Sequence, residues 1–309
     1  MNKELTKIKE IYESGHNIIE YLKRQENRKI NSFEDIMISY DFQAGTYAAN
    51  YYKHQNDELW VRYYDEIAKI LNKYWPDGNS EAVLFEAGCG EATTLASVCD
   101  RLDKKAMKNV YGLDASFSRL LSAKSFLGER KFRLIMGNML SMPVCDGSCD
   151  MVFTVHACEP NGGNEEILLD ELYRITKSYL ILFEPAYDLA ERKAQERMLR
   201  HGYVTRLYDV ICEKGWDVEE HHLLGGGVSL NELNSTGVTV IKKNERANVR
   251  KEPVLADPVT KRPVVQSGNA LWCRESMLLY PVMNGICCMC EDNAIIATKY
   301  EEYNELANI

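Results

Sequence analysis

No run of about 18 uncharged apolar residues occurs in this 309-residue sequence, so no segment reads as a membrane-spanning helix. The opening stretch from Met1 to Arg24 is charged and amphipathic and lacks the apolar centre of a secretory signal. Positive charge is in short supply. Lys and Arg number 37 against 46 Asp and Glu, a formal net charge of -9. Binding along a phosphate backbone asks for the opposite sign, so nucleic acid is not expected as a partner. Ten cysteines without a leader read as reduced thiols, and the expected location is the cytoplasm, away from membranes. No internal repeat or low-complexity tract is visible. What is present, 45% hydrophobic and 27% charged residues, suits a packed core of one large domain or two modest ones.

Residues 1–80 read as a helical cover. Ile8, Ile11 and Tyr12, then Ile18, Ile19, Tyr21 and Leu22, recur at spacings of three and four, which places them on one helix face. This segment ends in the turn formers Trp75-Pro76-Asp77-Gly78-Asn79-Ser80. From 81 to 245 short apolar runs alternate with helical ones, the α/β pattern. Strands are expected at Val83–Glu86, Asn109–Asp114, Phe132–Met136, Met151–His156 and Tyr179–Glu184. A long helical stretch from Leu189 to Glu213 should follow, then strands at Asp217–Leu224 and Val238–Lys242. Such an order makes a Rossmann-like, seven-stranded sheet whose last members could be antiparallel. After the linker-like Lys251-Glu252-Pro253, residues 246–309 read as a small β-rich C-terminal domain. Its segments fall near Ala270–Cys273, Leu278–Val282 and Ala294–Ala297.

The chemistry gathers at strand ends. The first strand runs into Glu86-Ala87-Gly88-Cys89-Gly90, where glycines allow a tight turn and close approach to a ligand at a helix N-terminus. A nicotinamide dinucleotide fingerprint needs a third glycine, and Thr93 stands in its place. The second strand ends in Asp114, a carboxylate suited to both hydroxyls of a ribose. The third ends in Gly137-Asn138-Met139, with an amide for an adenine edge and a thioether for its face. The fourth ends in Thr154-Val155-His156. Four such ends in order, on the side where open α/β sheets bind ligands, weigh more than any one alone.

With these motifs the sequence resembles the class I S-adenosylmethionine-dependent methyltransferases of the broad type 11 group, over roughly Ala82 to Lys243. The resemblance implies S-adenosyl-L-methionine as cofactor and S-adenosyl-L-homocysteine as product. Glu86, Gly88 and Gly90 would surround the methionine part, Asp114 would hold the ribose, and Asn138 and Met139 would contact the adenine. Many members carry Asp where this chain has Asn138. Tyr40, Gln43 and Tyr47 lie in the helical segment that often closes over the cofactor in this fold. The C-terminal run Asp257-Pro258 and then Tyr280-Pro281-Val282-Met283-Asn284-Gly285-Ile286 resembles the small zinc-ribbon-like protein that activates several methyltransferases. Asn284-Gly285 should be its hairpin turn. The Cys-Pro opening of the zinc form is Asp257-Pro258 here. Cys273, Cys287, Cys288 and Cys290 form no C-x-x-C knuckle, so no metal is expected. The domain then reads as a brace or a substrate lid.

Methyl transfer needs alignment, exclusion of water and sometimes a base. The acceptor is expected beyond strands four and five. His156 is a candidate general base, or a group hydrogen-bonded near the sulfonium. Glu159 could accept a proton or bind a cationic amine. Glu184 could anchor the substrate or cap the next helix. Tyr51, Tyr52, Trp60, Tyr63 and Tyr64 form an aromatic belt that either packs on the sheet or faces a flat acceptor. The leading expectation is methylation of a small-molecule acceptor such as a sugar, sugar nucleotide or secondary metabolite, on oxygen or nitrogen. Methylation of RNA or protein is second, and it lacks support from an Asn/Asp-Pro-Pro-Tyr tetrad, since His156-Ala157-Cys158-Glu159-Pro160 stands there. A non-catalytic cofactor-binding scaffold is third. Oligomeric state is left open by the sequence.

Overall fold

The computed structural model describes residues 4–76, 81–102, 109–231, 233–243 and 255–306. The expected turn at Asp77–Ser80 and the linker at Lys251–Pro253 lie outside the described residues.

Five helices precede the sheet: α1 (Leu5–Glu13), α2 (Ile18–Gln25), α3 (Phe33–Phe42), α4 (Thr46–His54) and α5 (Glu58–Lys73). Ile8, Ile18, Leu22 and Ile38 close a small core of their own. α2 starts where the Asn17 side chain accepts the Glu20 N–H, and α3 where Ser32 and Asp35 form a reciprocal capping box. α5 is the base of the cover and buries Tyr63, Tyr64, Ile67 and Leu71 against the sheet layer.

The main sheet runs β1 (Val83–Ala87), β2 (Asn109–Asp114), β3 (Arg133–Met136), β4 (Cys149–Val155), β5 (Thr176–Pro185), β6 (Asp217–Leu223) and β7 (Thr236–Lys242). Helices α6 (Thr93–Cys99), α7 (Phe117–Leu127) and α8 (Glu165–Ile175) make crossovers between parallel strands. β7 pairs antiparallel with both β5 and β6. This is the Rossmann-like class I arrangement. The stretch expected as one helix from Leu189 to Glu213 is two, α9 (Arg192–His201) and α10 (Leu207–Glu213). Gly202, left-handed at φ +67°, stops α9 and returns its N–H to the last turn.

The seven-stranded expectation needs extending. After β8 (Val265–Ser267), β9 (Ala270–Cys273) and β10 (Leu278–Met283), strand β11 (Ile286–Cys288) pairs parallel with β3. β12 (Ile295–Ile296) adds to β10, and α11 (Tyr300–Leu306) follows. The result is one 12-stranded sheet in the order β6-β7-β5-β4-β1-β2-β3-β11-β10-β9-β8, with β12 off that path. An unpaired β3 would present a row of free backbone groups, and β11 satisfies them. The Asn284-Gly285 turn joining β10 to β11 has both residues at positive φ, 52° and 76°, as a tight hairpin requires. β8 and β11 span three residues each, too short for a periodic signal.

Asp257 is buried. Its carboxylate accepts the Val259 N–H at 2.7 Å and the Thr260 N–H at 2.9 Å, which fixes the turn. All ten cysteines are free thiols. Among the described residues no three His, Cys, Asp or Glu side chains gather as a metal set, and no helix is long and apolar enough to cross a membrane.

Candidate active site

Two adjoining cavities open at the carboxyl ends of the parallel strands. The first is a cleft of about 840 Å³, walled by the β1, β2, β3 and β4 ends and roofed by Tyr40 and Tyr47. Gly88 and Gly90 turn the loop after β1 at φ +78° and +54°. A Cβ on Gly88 would lie 2.2 Å from the Ala157 Cβ, and one on Gly90 would lie 2.4 Å from the Arg119 Nη2. Only glycine keeps both the turn and the space. The Gly88 and Cys89 N–H groups both donate to the Leu113 carbonyl, at 2.7 and 2.8 Å. That ties the first loop to the second strand.

Asp114 accepts the Gly90 N–H at 2.9 Å and the Ser116 N–H at 2.9 Å, and lies beside the cleft. Asn138 spends its side-chain oxygen on the Leu140 N–H, at 2.9 Å, which leaves its amide nitrogen as the donor for the cleft. Met139 lines the same cleft near Gly88. Glu86 is 1% exposed, and one of its carboxylate oxygens has no hydrogen-bond partner. Burial, aided by the Asp114 charge, holds its carboxyl well above the usual range.

Two residues that the sequence did not single out complete this cleft. Arg119, on α7, lies under Tyr40 and Tyr47, its guanidinium carbon 5.1 and 4.4 Å from their ring centroids. Glu91 follows Gly90 and is 1% exposed. Its two oxygens accept the N–H groups of Gly45, Tyr47 and Ala48, at 3.0, 3.2 and 2.8 Å. The residue capping α4 is Gly45, which has no side chain to accept the helix's first N–H groups. Glu91 reaches across 43 to 46 positions of chain to supply that acceptor. No local spacing signals a cap delivered from so far along the chain.

The second cavity, about 1520 Å³, meets the first along Tyr40, Tyr47, Thr93, Val155 and His156. His156 sits at the junction with φ 51°, an uncommon conformation for a residue with a side chain. Its Nδ1 is 2.5 Å from Glu159 Oε1 and its Nε2 is 2.7 Å from Thr236 Oγ1. Burial is the largest influence and works to lower its pKa, but the hydrogen bond to Glu159 together with the negative charges of Glu159 and Glu184 raises it above the ordinary histidine value. Asn234 donates to the same Glu159 oxygen at 2.8 Å, so Asn234 and Thr236, ahead of and within β7, belong to this network. Glu159 lines the second cavity only.

Two expected site residues are placed differently. Gln43 opens on the second cavity, not the first, because its amide turns back to the Ser39 carbonyl at 3.1 Å. Glu184 lines neither cavity. It lies beneath the β4 loop, where it accepts the Ala157 and Cys158 N–H groups at 2.9 and 3.1 Å and so props His156 from below. In the aromatic belt, Tyr63 and Tyr64 both pack in the core and line the second cavity, and Trp60 lines it too. His221 stacks on Tyr208, and His201 faces the second cavity.

Residues 85–182 match the methyltransferase domain family. No curated protein sequence matches the chain. Among solved structures it is similar to a chain of the complex between the Haloferax volcanii Trm112 methyltransferase activator and a methyltransferase. Identity there is 14% over 67% of this chain and 98% of that one, with a TM-score of 0.51. It is also similar to magnesium protoporphyrin IX methyltransferase from Synechocystis PCC 6803, at 15% identity, 67% and 98% coverage and TM-score 0.47. A methyltransferase from Aquifex aeolicus matches at 18% identity, 61% and 95% coverage and TM-score 0.41. At such identities the likeness speaks for the fold alone. The fold, the strand-end motifs in their order and the family match together define the class, an S-adenosylmethionine-dependent methyltransferase.

The first cleft fits that cofactor. The unpartnered oxygen of Glu86 awaits a cationic donor such as an α-ammonium group. Arg119 Nε, likewise buried without a partner, offers a donor to an anionic group such as a carboxylate. The glycine cradle leaves room that any Cβ would fill.

Proposed function

We propose that the protein methylates a small-molecule acceptor, on oxygen or nitrogen, bound in the second cavity. The observation that carries this reading is the shared wall. The two cavities meet at His156 and Val155, and helices α2 and α3 roof the larger one with Lys23, Ser39 and Tyr40. A roofed cavity suits a compact acceptor better than a polymer. The cofactor supplies an electrophilic methyl group, and the chain's residues align, shield and handle protons. Glu86, Gly88 and Gly90 hold the amino-acid end, Asp114 the ribose, and Asn138 and Met139 the adenine, under Tyr40 and Tyr47. His156, paired with Glu159, is the candidate base. Its raised pKa means that it must first lose its proton to act, so a base role predicts activity that climbs with pH.

On this reading, residues 1–80 form the cover, 81–245 the cofactor-binding core, and 246–309 a brace. The third part is the in-chain counterpart of a separate activator. Its described residues line neither cavity, and the Met289 N–H donates to the Met136 carbonyl at 2.8 Å, beside the Gly137-Asn138-Met139 loop. We place the enzyme in the cytoplasm, from its composition.

Calorimetric titration with S-adenosylmethionine, S-adenosylhomocysteine and NAD tests the proposal. Micromolar binding of the first two and none of NAD is expected. Binding of neither sulfur nucleotide would overturn it.

A further inference from the structure

We propose that the acceptor carries an anionic group, a carboxylate or a phosphate, held by Arg197 and Lys23 on one wall of the second cavity. The inference rests on reading that cavity as the acceptor site. Arg197 on α9 and Lys23 on α2 face it from two separate elements. His201, one turn after Arg197 on the same face, lines the cavity with them.

Elsewhere this acidic chain pairs its half-buried guanidinium groups with carboxylates. Arg28 has Asp35 at 2.6 Å, Arg101 has Asp65 at 2.6 Å, and Arg174 has Glu171 at 2.8 Å. Arg197 has only neutral partners among the described residues: the Asn234 side-chain oxygen at 3.1 Å and the Tyr203 ring at 5.3 Å. Lys23 has no carboxylate partner among the described residues either. The cavity's own carboxylates are engaged. Glu159 is taken by His156 and Asn234, and Glu20 lies 3.7 Å from Arg24 and 3.8 Å from His201. Arg197 and Lys23 are therefore left without a carboxylate partner of their own beside this cavity. His201 lies in the field of both, since burial first and the Arg197 charge next hold its pKa below the ordinary value, with Arg200 and Lys23 adding to this and the Glu20 carboxylate opposing it.

The placement also suits the chemistry. Arg197 donates to Asn234, Asn234 donates to Glu159, and Glu159 holds His156. An acceptor anchored by its anion on the guanidinium fork would be positioned relative to His156 through this chain of hydrogen bonds.

The test uses the full chain and small probes followed by ligand-observed NMR: 4-hydroxybenzoate, phenyl phosphate and the neutral benzamide. At least one anion should bind wild type about tenfold or more tightly than benzamide, and the tighter of the two anions identifies the group. The double variant Arg197→Gln, Lys23→Gln should lose this discrimination, while Arg197→Lys should retain it. Equal affinity for benzamide, no anion binding to wild type, or discrimination that survives in the double variant would each overturn the proposal. S-adenosylhomocysteine titrated on the same samples separates the two readings. Retained nucleotide binding with no anion preference sinks this inference alone, whereas loss of nucleotide binding by wild type sinks the functional reading beneath it.

Discussion

Replacing Gly88 with alanine would drive a methyl group to 2.2 Å from the Ala157 Cβ, at a φ of +78° that side chains avoid. Backbone strain of this kind costs about 1–3 kcal/mol, and relief by shifting the loop would spoil the cradle. The variant should therefore fold with a lowered melting temperature and fail to bind S-adenosylhomocysteine, as melting with and without the nucleotide would read. Glu184 gives a pH prediction. Burial lifts its carboxyl to about 7, against the attraction of His156, from an ordinary value of 4.5. A folded-state pKa raised in this way means the protonated form is favoured on folding. The corresponding stability is present below about pH 4.5 and is lost as pH rises through about 7. Denaturant midpoints measured from pH 5 to 8 should fall across that window, and Glu184→Gln should flatten the fall. A profile unchanged by the substitution would remove Glu184 as its cause.

At the scale of elements, α4 depends on a residue it does not contain. Its first residues turn their N–H groups to Glu91, so the cofactor loop and the roof over it are one hydrogen-bonded unit. Asp41 makes a second tie, accepting the Ser118 N–H at 2.9 Å and the Ser116 hydroxyl at 2.7 Å at the start of α7. Loss of a helix cap costs about 0.5–2 kcal/mol. Glu91→Ala should lower global stability by that order. Its larger effect should be on the roof, with faster amide exchange in 45–54 and weaker nucleotide binding, because Tyr47 would no longer be held over Arg119. Exchange mass spectrometry checks this. Unaltered exchange in that helix would mean the cap is dispensable.

At the scale of the whole molecule, the C-terminal residues finish the sheet. β11 covers the β3 edge. Lys261 bridges to Glu171 at 2.8 Å, and Ser141 donates to the Pro258 carbonyl at 2.9 Å. A chain ending before Leu255 would expose β3 together with the buried faces of Ile135 and Leu134. Such an edge pairs with its like. The truncated protein should therefore associate, with light scattering showing species larger than the full chain under the same conditions. A truncated form that matches the full chain's association state would contradict the bracing role.

Much of this molecule is local, and the sequence carries it. The parallel strands with their terminal Glu86, Asp114, Asn138 and His156 were legible because period, β-branched content and glycine punctuation are properties of neighbouring residues. The break at Gly202 was missed because apolar spacing continues across it, and a left-handed glycine announces itself only once the chain turns. Contacts between distant segments were not legible at all. The tertiary structure alone brought Glu91 to α4, Arg119 beneath Tyr40 and Tyr47, Thr236 and Asn234 to His156, Arg197 to the same wall as Lys23, and β11 to β3. The physical reason is that strand and helix patterns follow from local propensity and burial. Caps, charge partners and strand neighbours are chosen by which surfaces the folded chain brings within hydrogen-bonding distance.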